Sequence, residues 1–191
     1  MEFCDGGSLD ALVREYADRG EYPPLHLVAN LFRQVAAALH YIHFEKRLVH
    51  RDIKLENFIL QRRDPYPVVK LCDFGFGRAL AARMETFKGT PLFVAPQILD
   101  QTPYTSKADL YSLGVCLYRL ATAQFPFSEV SDTFYREMRA HKPAAFPAPF
   151  AGDPAYAPVC DLTLRLMAYD ETDRLSWEEL YRHPFVTTEL N

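Results

Sequence analysis

His50, Arg51, Asp52, Lys54 and Asn57 stand within one short run, and Asp73-Phe74-Gly75 begins sixteen residues after Asn57. These are groups that phosphoryl transfer needs, in an order that can deliver them to one centre. An Asp accepts the proton of an attacking hydroxyl, a Lys offsets charge on the moving phosphoryl group, and an Asn and a second Asp hold magnesium. Asp52, Lys54 and Asn57 fit the catalytic roles, and Asn57 and Asp73 fit the metal-binding ones. Either run alone would be an ordinary loop or turn. Both together, with Lys54 and Asn57 at these offsets and an apolar strand from Val68 to Cys72 leading into Asp73, point to a reaction centre.

Those residues resemble the catalytic centre of the eukaryotic protein kinases, serine/threonine type, and the resemblance spans essentially the whole chain. Asp73 to Gln97 looks like the activation segment, with Gly89 to Gln97 where the family has its peptide-docking loop and Ala-Pro-Glu. Asp109 to Gly114 resembles the central-helix signature, and Arg174 the arginine near the end of the domain. Met1 to Leu9 resembles the hinge and the start of the first large-lobe helix. The resemblance implies that Asp109 caps the catalytic-loop backbone and that His50 and Phe74 form the lower hydrophobic spine. It implies ATP and Mg2+ as cofactors: the backbone of Glu2 and Cys4 meets adenine, Ile59 and Leu9 form an apolar floor, and Asp73 completes the nucleotide site through its metal. The partner it implies is a protein or peptide offering Ser or Thr, since Lys54 and Thr90 are similar to that class. Arg51 beside Asp52 implies control by phosphorylation, with Thr86 as acceptor and Thr90 in the docking loop. Phe74 to Gly77 and Lys107 to Leu110 faintly resemble the autophagy-initiating kinases, and a faint similarity reaches the calmodulin-dependent-like group.

The expected fold is mainly α with short β-strands: a protein kinase-like large (C-terminal) lobe with the small N-lobe absent, residues 1–191 forming hinge plus large lobe. The family's Gly-rich loop, strand lysine and helix glutamate do not occur in these residues. Three readings follow. The chain represents an ATP-dependent serine/threonine kinase from the hinge onward; it is an inactive lobe acting as a binding module; or it is a truncated product whose bare apolar face invites aggregation.

At 49% hydrophobic and 24% charged residues over 191, the chain can bury one substantial core. Net charge −4 argues against nucleic acid or an anionic membrane as main partner. With no long uncharged apolar run and no basic-then-apolar start, the expected setting is cytoplasmic; the regulatory partner stays open. Cys4, Cys72, Cys116 and Cys160 share no metal or redox spacing and read as reduced, mostly buried thiols. His40 and His43 lack thiol or carboxylate company and read as packing residues.

Apolar positions from Leu27 to Ile42 predict a helix over 25–46. Leu48-Val49, Phe58 to Leu60 and Val68 to Cys72 read as strands. Helices are expected at 107–121, at about 131–141 from a Ser131 or Asp132 cap, at 159–168 and at 176–182, the last opened by a Ser176/Glu179 capping box. Residues 142–158, rich in proline, read as an irregular connection.

Three departures from the family's pattern bear on function. Gln97 replaces the glutamate that the family pairs with the Arg174-like residue, a loss of roughly 3–5 kcal/mol if nothing compensates and a smaller one here, because Gln97 still accepts one hydrogen bond. At the three positions where arginine-preferring kinases place carboxylates, only Glu56 matches. Ser8 and Arg119 hold the others, so Arg119 is expected to repel a basic peptide. Phe87, Pro91 and Val94 are expected to line an apolar pocket for the residue after the acceptor.

Overall fold

A computed structural model describes residues 4–62, 67–73, 78–79, 91–127, 136, 140 and 144–188, with backbone alone at 78, 79 and 91. Helix α1 (Leu9–Asp18) starts where the Ser8 side chain accepts the Ala11 N–H at 3.1 Å. Helix α2 (Leu25–His40) buries Val28, Leu31, Phe32, Val35 and Leu39, the stripe its spacing predicts. The α ladder stops at His40. Tyr41–Glu45 continue as a π turn closed by the Lys46 N–H on Tyr41 O at 3.2 Å. That turn sets His43 in a stack on Trp177, 4.4 Å between rings, while His40 packs against Phe44 and Tyr181. Both histidines are held by aromatic neighbours, as expected for packing residues.

The strands are short and frame one loop. β1 (Leu48–Val49) pairs antiparallel with β4 (Arg78–Ala79), Leu48 opposite Ala79 and Val49 opposite Arg78. Between them, a 3-10 turn (Leu55–Asn57) leads into β2 (Phe58–Arg62), which pairs with β3 (Val68–Leu71). Phe58 faces Leu71 and Leu60 faces Val69, and a register slip between Leu60 and Arg62 takes up one residue. Gln34 of α2 grips this ladder from outside, accepting the Val69 N–H at 2.9 Å and donating to Pro67 O at 2.9 Å.

Helix α3 (Pro96–Leu99) precedes α4 (Lys107–Thr122), in which every residue after Lys107 is buried. A helix covered on all sides must sit at the centre of its domain. It approaches α5 (Ala157–Leu166) and Met167 so closely that a Cβ at Gly114 would lie 2.7 Å from Met167 Cγ and 2.9 Å from Leu166 Cβ. Helix α5 starts two residues before the predicted Val159, because Pro158 in a first turn has no N–H that the helix needs. Helix α6 (Trp177–Arg182) opens with the predicted capping box, Glu179 N–H to Ser176 Oγ at 3.2 Å and Ser176 N–H to Glu179 Oε2 at 2.7 Å. A four-residue helix α7 (Pro184–Thr187) follows, started by His183, whose Nδ1 accepts the Phe185 N–H.

The helix expected at 131–141 lies outside the described residues, apart from 136 and 140. The connection after it is pinned by aromatics: Tyr118 donates to Ala145 O at 2.7 Å, and Phe150 packs on Tyr156 and Tyr22. All four thiols are free, but only Cys116 is buried; Cys4, Cys72 and Cys160 are half-buried, a correction to the expectation that most are buried. The architecture is the expected one, mostly helical with few strands.

Candidate active site

The loop between β1 and β2 is shaped by a carboxylate far away in sequence. Asp109, in the first turn of α4, accepts the His50 N–H at 2.7 Å through Oδ2 and the Arg51 N–H at 2.9 Å through Oδ1. This is the cap that the resemblance implied. Burial pushes the Asp109 carboxyl up, and the two backbone N–H groups, with the nearby His50 and Arg51 charges, pull it back. Two N–H donors aimed at two oxygens are what an ionised carboxylate accepts.

The capped loop turns sharply. Arg51 has φ 71°, a left-handed conformation that costs on the order of 1–3 kcal/mol in a non-glycine residue and persists only when surroundings impose it. Asp52, two residues downstream of the first capped N–H, is 4% exposed. Its Oδ2 lies 2.8 Å from Lys54 Nζ and 3.2 Å from Asn57 Nδ2, and its carbonyl takes a second bond from the same Nδ2 at 2.7 Å. Asp52, Lys54 and Asn57 therefore form one hydrogen-bonded unit. Asn57 has turned its NH2 towards Asp52, which leaves Oδ1 as its oxygen for a cation.

Asp73 is reached through the β2–β3 ladder. The Cys72 N–H donates to Asn57 O at 2.9 Å and the Cys72 thiol to the same oxygen at 3.2 Å, so the residue before Asp73 is tied to the backbone of Asn57. Asp73 is exposed with φ 60°. The structure thus brings two oxygen-bearing side chains, Asn57 and Asp73, to adjoining backbone. Hard oxygen donors of this kind suit Mg2+, which keeps waters and substrate oxygens in its remaining positions. Among the described residues no group of three His, Cys, Asp or Glu side chains is placed to hold a metal.

Of the nucleotide-floor residues, Ile59 is half-buried on β2, where it pairs with Ser8 across an isolated bridge. Leu9 is 0% exposed and belongs to the core, so it offers support from beneath and no surface of its own. Cys4 is half-buried, and Gly6 runs so close to β2 that its N–H bonds Leu60 O at 2.9 Å and a Cβ there would fall 2.6 Å from Leu60 Cβ. Glu2, Phe74, Thr86, Phe87 and Thr90 lie outside the described residues. His50 is 0% exposed and Arg51 7% exposed. Val94 is 4% exposed and packs in the core.

Sequence reasoning missed Asp10. It is buried on α1, and its Oδ1 accepts from Arg119 Nε at 2.9 Å and Nη2 at 2.7 Å, while Oδ2 meets Arg14 at 2.7 Å. The Arg119 guanidinium also lies over Phe125 at 4.1 Å. The expectation that Arg119 repels a basic peptide is corrected accordingly: its charge is engaged inside the lobe. The signal available in the sequence was an acidic residue on the inward face of α1. Gln97 is likewise accommodated, its Oε1 accepting from Arg174 Nη2 at 3.0 Å.

Residues 1–186 match the protein kinase domain family. The chain is 32% identical to the serine/threonine-protein kinase ATG1b of Arabidopsis thaliana over 98% of its length and 26% of that relative. It is 30% identical to the serine/threonine-protein kinase atg1 of Dictyostelium discoideum, covering 100% of this chain and 27% of the relative, and 34% identical to the serine/threonine-protein kinase unc-51 of Caenorhabditis elegans, covering 100% and 22%. The chain belongs to the protein kinase family, and its relatives are serine/threonine kinases that include the ATG1 group. It spans about a quarter of the length of these relatives. No described helix is long and apolar enough to cross a membrane.

Proposed function

We propose that this chain supplies the catalytic-loop, metal-binding and peptide-docking half of an ATP-dependent protein serine/threonine kinase, working inside the cell. The observation that carries this reading is the Asp52–Lys54–Asn57 unit on a loop whose backbone is capped by Asp109. In it, the acceptor hydroxyl oxygen bonds to the γ-phosphorus, the bond from that phosphorus to the leaving ADP oxygen breaks, and the hydroxyl proton passes to Asp52. Lys54 holds Asp52 in place and offsets charge on the phosphoryl group in transit. Magnesium, held by Asn57 and Asp73, would neutralise charge on the phosphates. Arg51 would receive a phosphate on Thr86, and Gly89 to Gln97 would dock the peptide.

The lysine and glycine loop that grip phosphates are not among these 191 residues, so the hinge-plus-large-lobe reading carries its own test. The chain incubated with ATP, Mg2+ and generic peptides should show negligible turnover, because electrostatic stabilisation of the transition state is worth orders of magnitude in rate. A form that also carries those small-lobe elements should be active, and Asp52→Asn or Asp73→Asn should abolish that activity. Full activity in the Asp52→Asn form would overturn the assignment; robust turnover by the 191-residue chain, lost with Asp52→Asn, would overturn the need for the small lobe.

A further inference from the structure

Arg174 sits at the end of a turn that faces the docking loop, with its side chain 0% exposed. It donates from Nε to Ala168 O at 3.1 Å, from Nη1 to Lys107 O at 2.9 Å, and from Nη2 to Gln97 Oε1, Ala168 O and Tyr169 O at 3.0, 3.0 and 3.1 Å. All of those acceptors are neutral. The carboxylate nearest the guanidinium is Glu171, whose Oε1 lies 4.0 Å from Nη1 and is itself fixed by the Thr105 N–H at 3.0 Å, while Asp170 adds a weaker attraction. Lys107 braces the same turn, donating to Glu171 O at 3.0 Å and Arg174 O at 2.7 Å.

Gln97 uses both ends of its amide. Its Nε2 donates to Tyr169 O at 2.6 Å while its Oε1 accepts from Arg174. The two ends cannot be exchanged, because Arg174 offers only donors and Tyr169 O only accepts. A glutamate at this position would keep the arginine contact but turn a second oxygen towards Tyr169 O, and it would place two carboxylates around one guanidinium.

We infer that Gln97 and Glu171 together do the work of the single missing carboxylate, the amide fixing the geometry and Glu171 balancing the charge, so that they act as positioning residues for the carboxyl-terminal end of the docking loop. Burial lowers Arg174 to about 10, in keeping with a guanidinium held mostly by neutral oxygens. The inference rests on Gly89 to Gln97 serving as the docking loop of the proposed kinase. Its consequence is that Gln97 and Glu171 are energetically coupled across 74 positions of sequence (171 − 97).

The test uses denaturant unfolding and hydrogen exchange on the 191-residue chain, which register the clamp whether or not peptides are phosphorylated. Glu171→Gln should lower the folding equilibrium constant roughly tenfold, Glu171→Asp should recover most of it, and in a Gln97→Glu background the same Glu171→Gln change should cost less than about threefold. In Glu171→Gln the amides of Ile98, Leu99 and Asp100, bonded within α3, should exchange faster while those of Leu12 and Val28 keep their protection relative to global unfolding. Should Glu171→Gln alone fail to fold, the Gln97→Glu, Glu171→Gln chain must still fold. Equal cost of Glu171→Gln in both backgrounds, a double variant that fails where Gln97→Glu folds, or faster exchange at all five amides alike would overturn the inference.

Discussion

Both oxygens of Asp109 point at N–H groups of the loop that carries Asp52, so an amide in its place must turn an NH2 towards one of those donors. Asp109→Asn should therefore destabilise the chain by about 1–3 kcal/mol, read as a lowered unfolding midpoint, with a larger proportional loss in phosphoryl transfer by the small-lobe-bearing form. An unchanged midpoint would refute the cap's energetic role. His43 gives a pH-dependent counterpart. Burial against Trp177 holds its pKa below the usual histidine value, with Glu178 opposing and Arg47 and His40 reinforcing the shift. The unfolded chain then binds the proton more tightly, so stability is greatest above the unfolded pKa, about 6.5, and falls as pH drops through the lowered folded value. His43→Phe should flatten that acid limb in unfolding midpoints measured across the pH range. At this scale Asp52, Lys54 and Asn57 were legible because their chemistry is local in sequence. The Asp10–Arg119 pairing was not, since it joins residues that only the packing of α1 against α4 brings together.

Elements obey a different logic, set by what each face meets. Helix α4 was legible from its apolar composition, yet the sequence does not say which side meets α5, and Gly114 marks that side. Gly114→Ala should force Met167 and Leu166 aside and cost roughly 1–3 kcal/mol, the range for overpacking a filled core. Denaturant unfolding would show it, and a compensating Met167→Ala change should recover part of the loss; if Gly114→Ala were neutral, the close approach would be wrong. The boundaries were less legible. The 25–46 stripe continues without a break past His40, because α and π turns place apolar side chains on nearly the same face, and only the rings of Trp177 and Tyr181 distinguish them. Helix α7 escaped because four residues carry too little periodicity to register.

As a whole molecule the chain is a lobe built around α4, and the question is whether it stands alone. Among the described residues the large hydrophobic side chains left exposed are Tyr41 at 53% and Leu164 at 38%, one on the π turn and one on α5. Among the described residues, two such side chains on separate elements do not make the contiguous apolar patch that drives association. A net charge of −4 adds repulsion between copies. Trp177, the only tryptophan, is 5% exposed, donates to Ser106 Oγ at 3.2 Å and stacks on His43, so its fluorescence reports the junction of α6 with α4 and the π turn. The purified 191-residue chain should sediment as a monomer and unfold in one cooperative transition, with Trp177 emission and far-ultraviolet circular dichroism changing together. Tryptophan exposure at clearly lower denaturant than loss of helix, or a sedimentation coefficient that rises with concentration, would show instead that the lobe needs further protein surface to complete its core. In that event the Asp52 loop, which depends on α4 through Asp109, would lose its shape at the same denaturant concentration as Trp177.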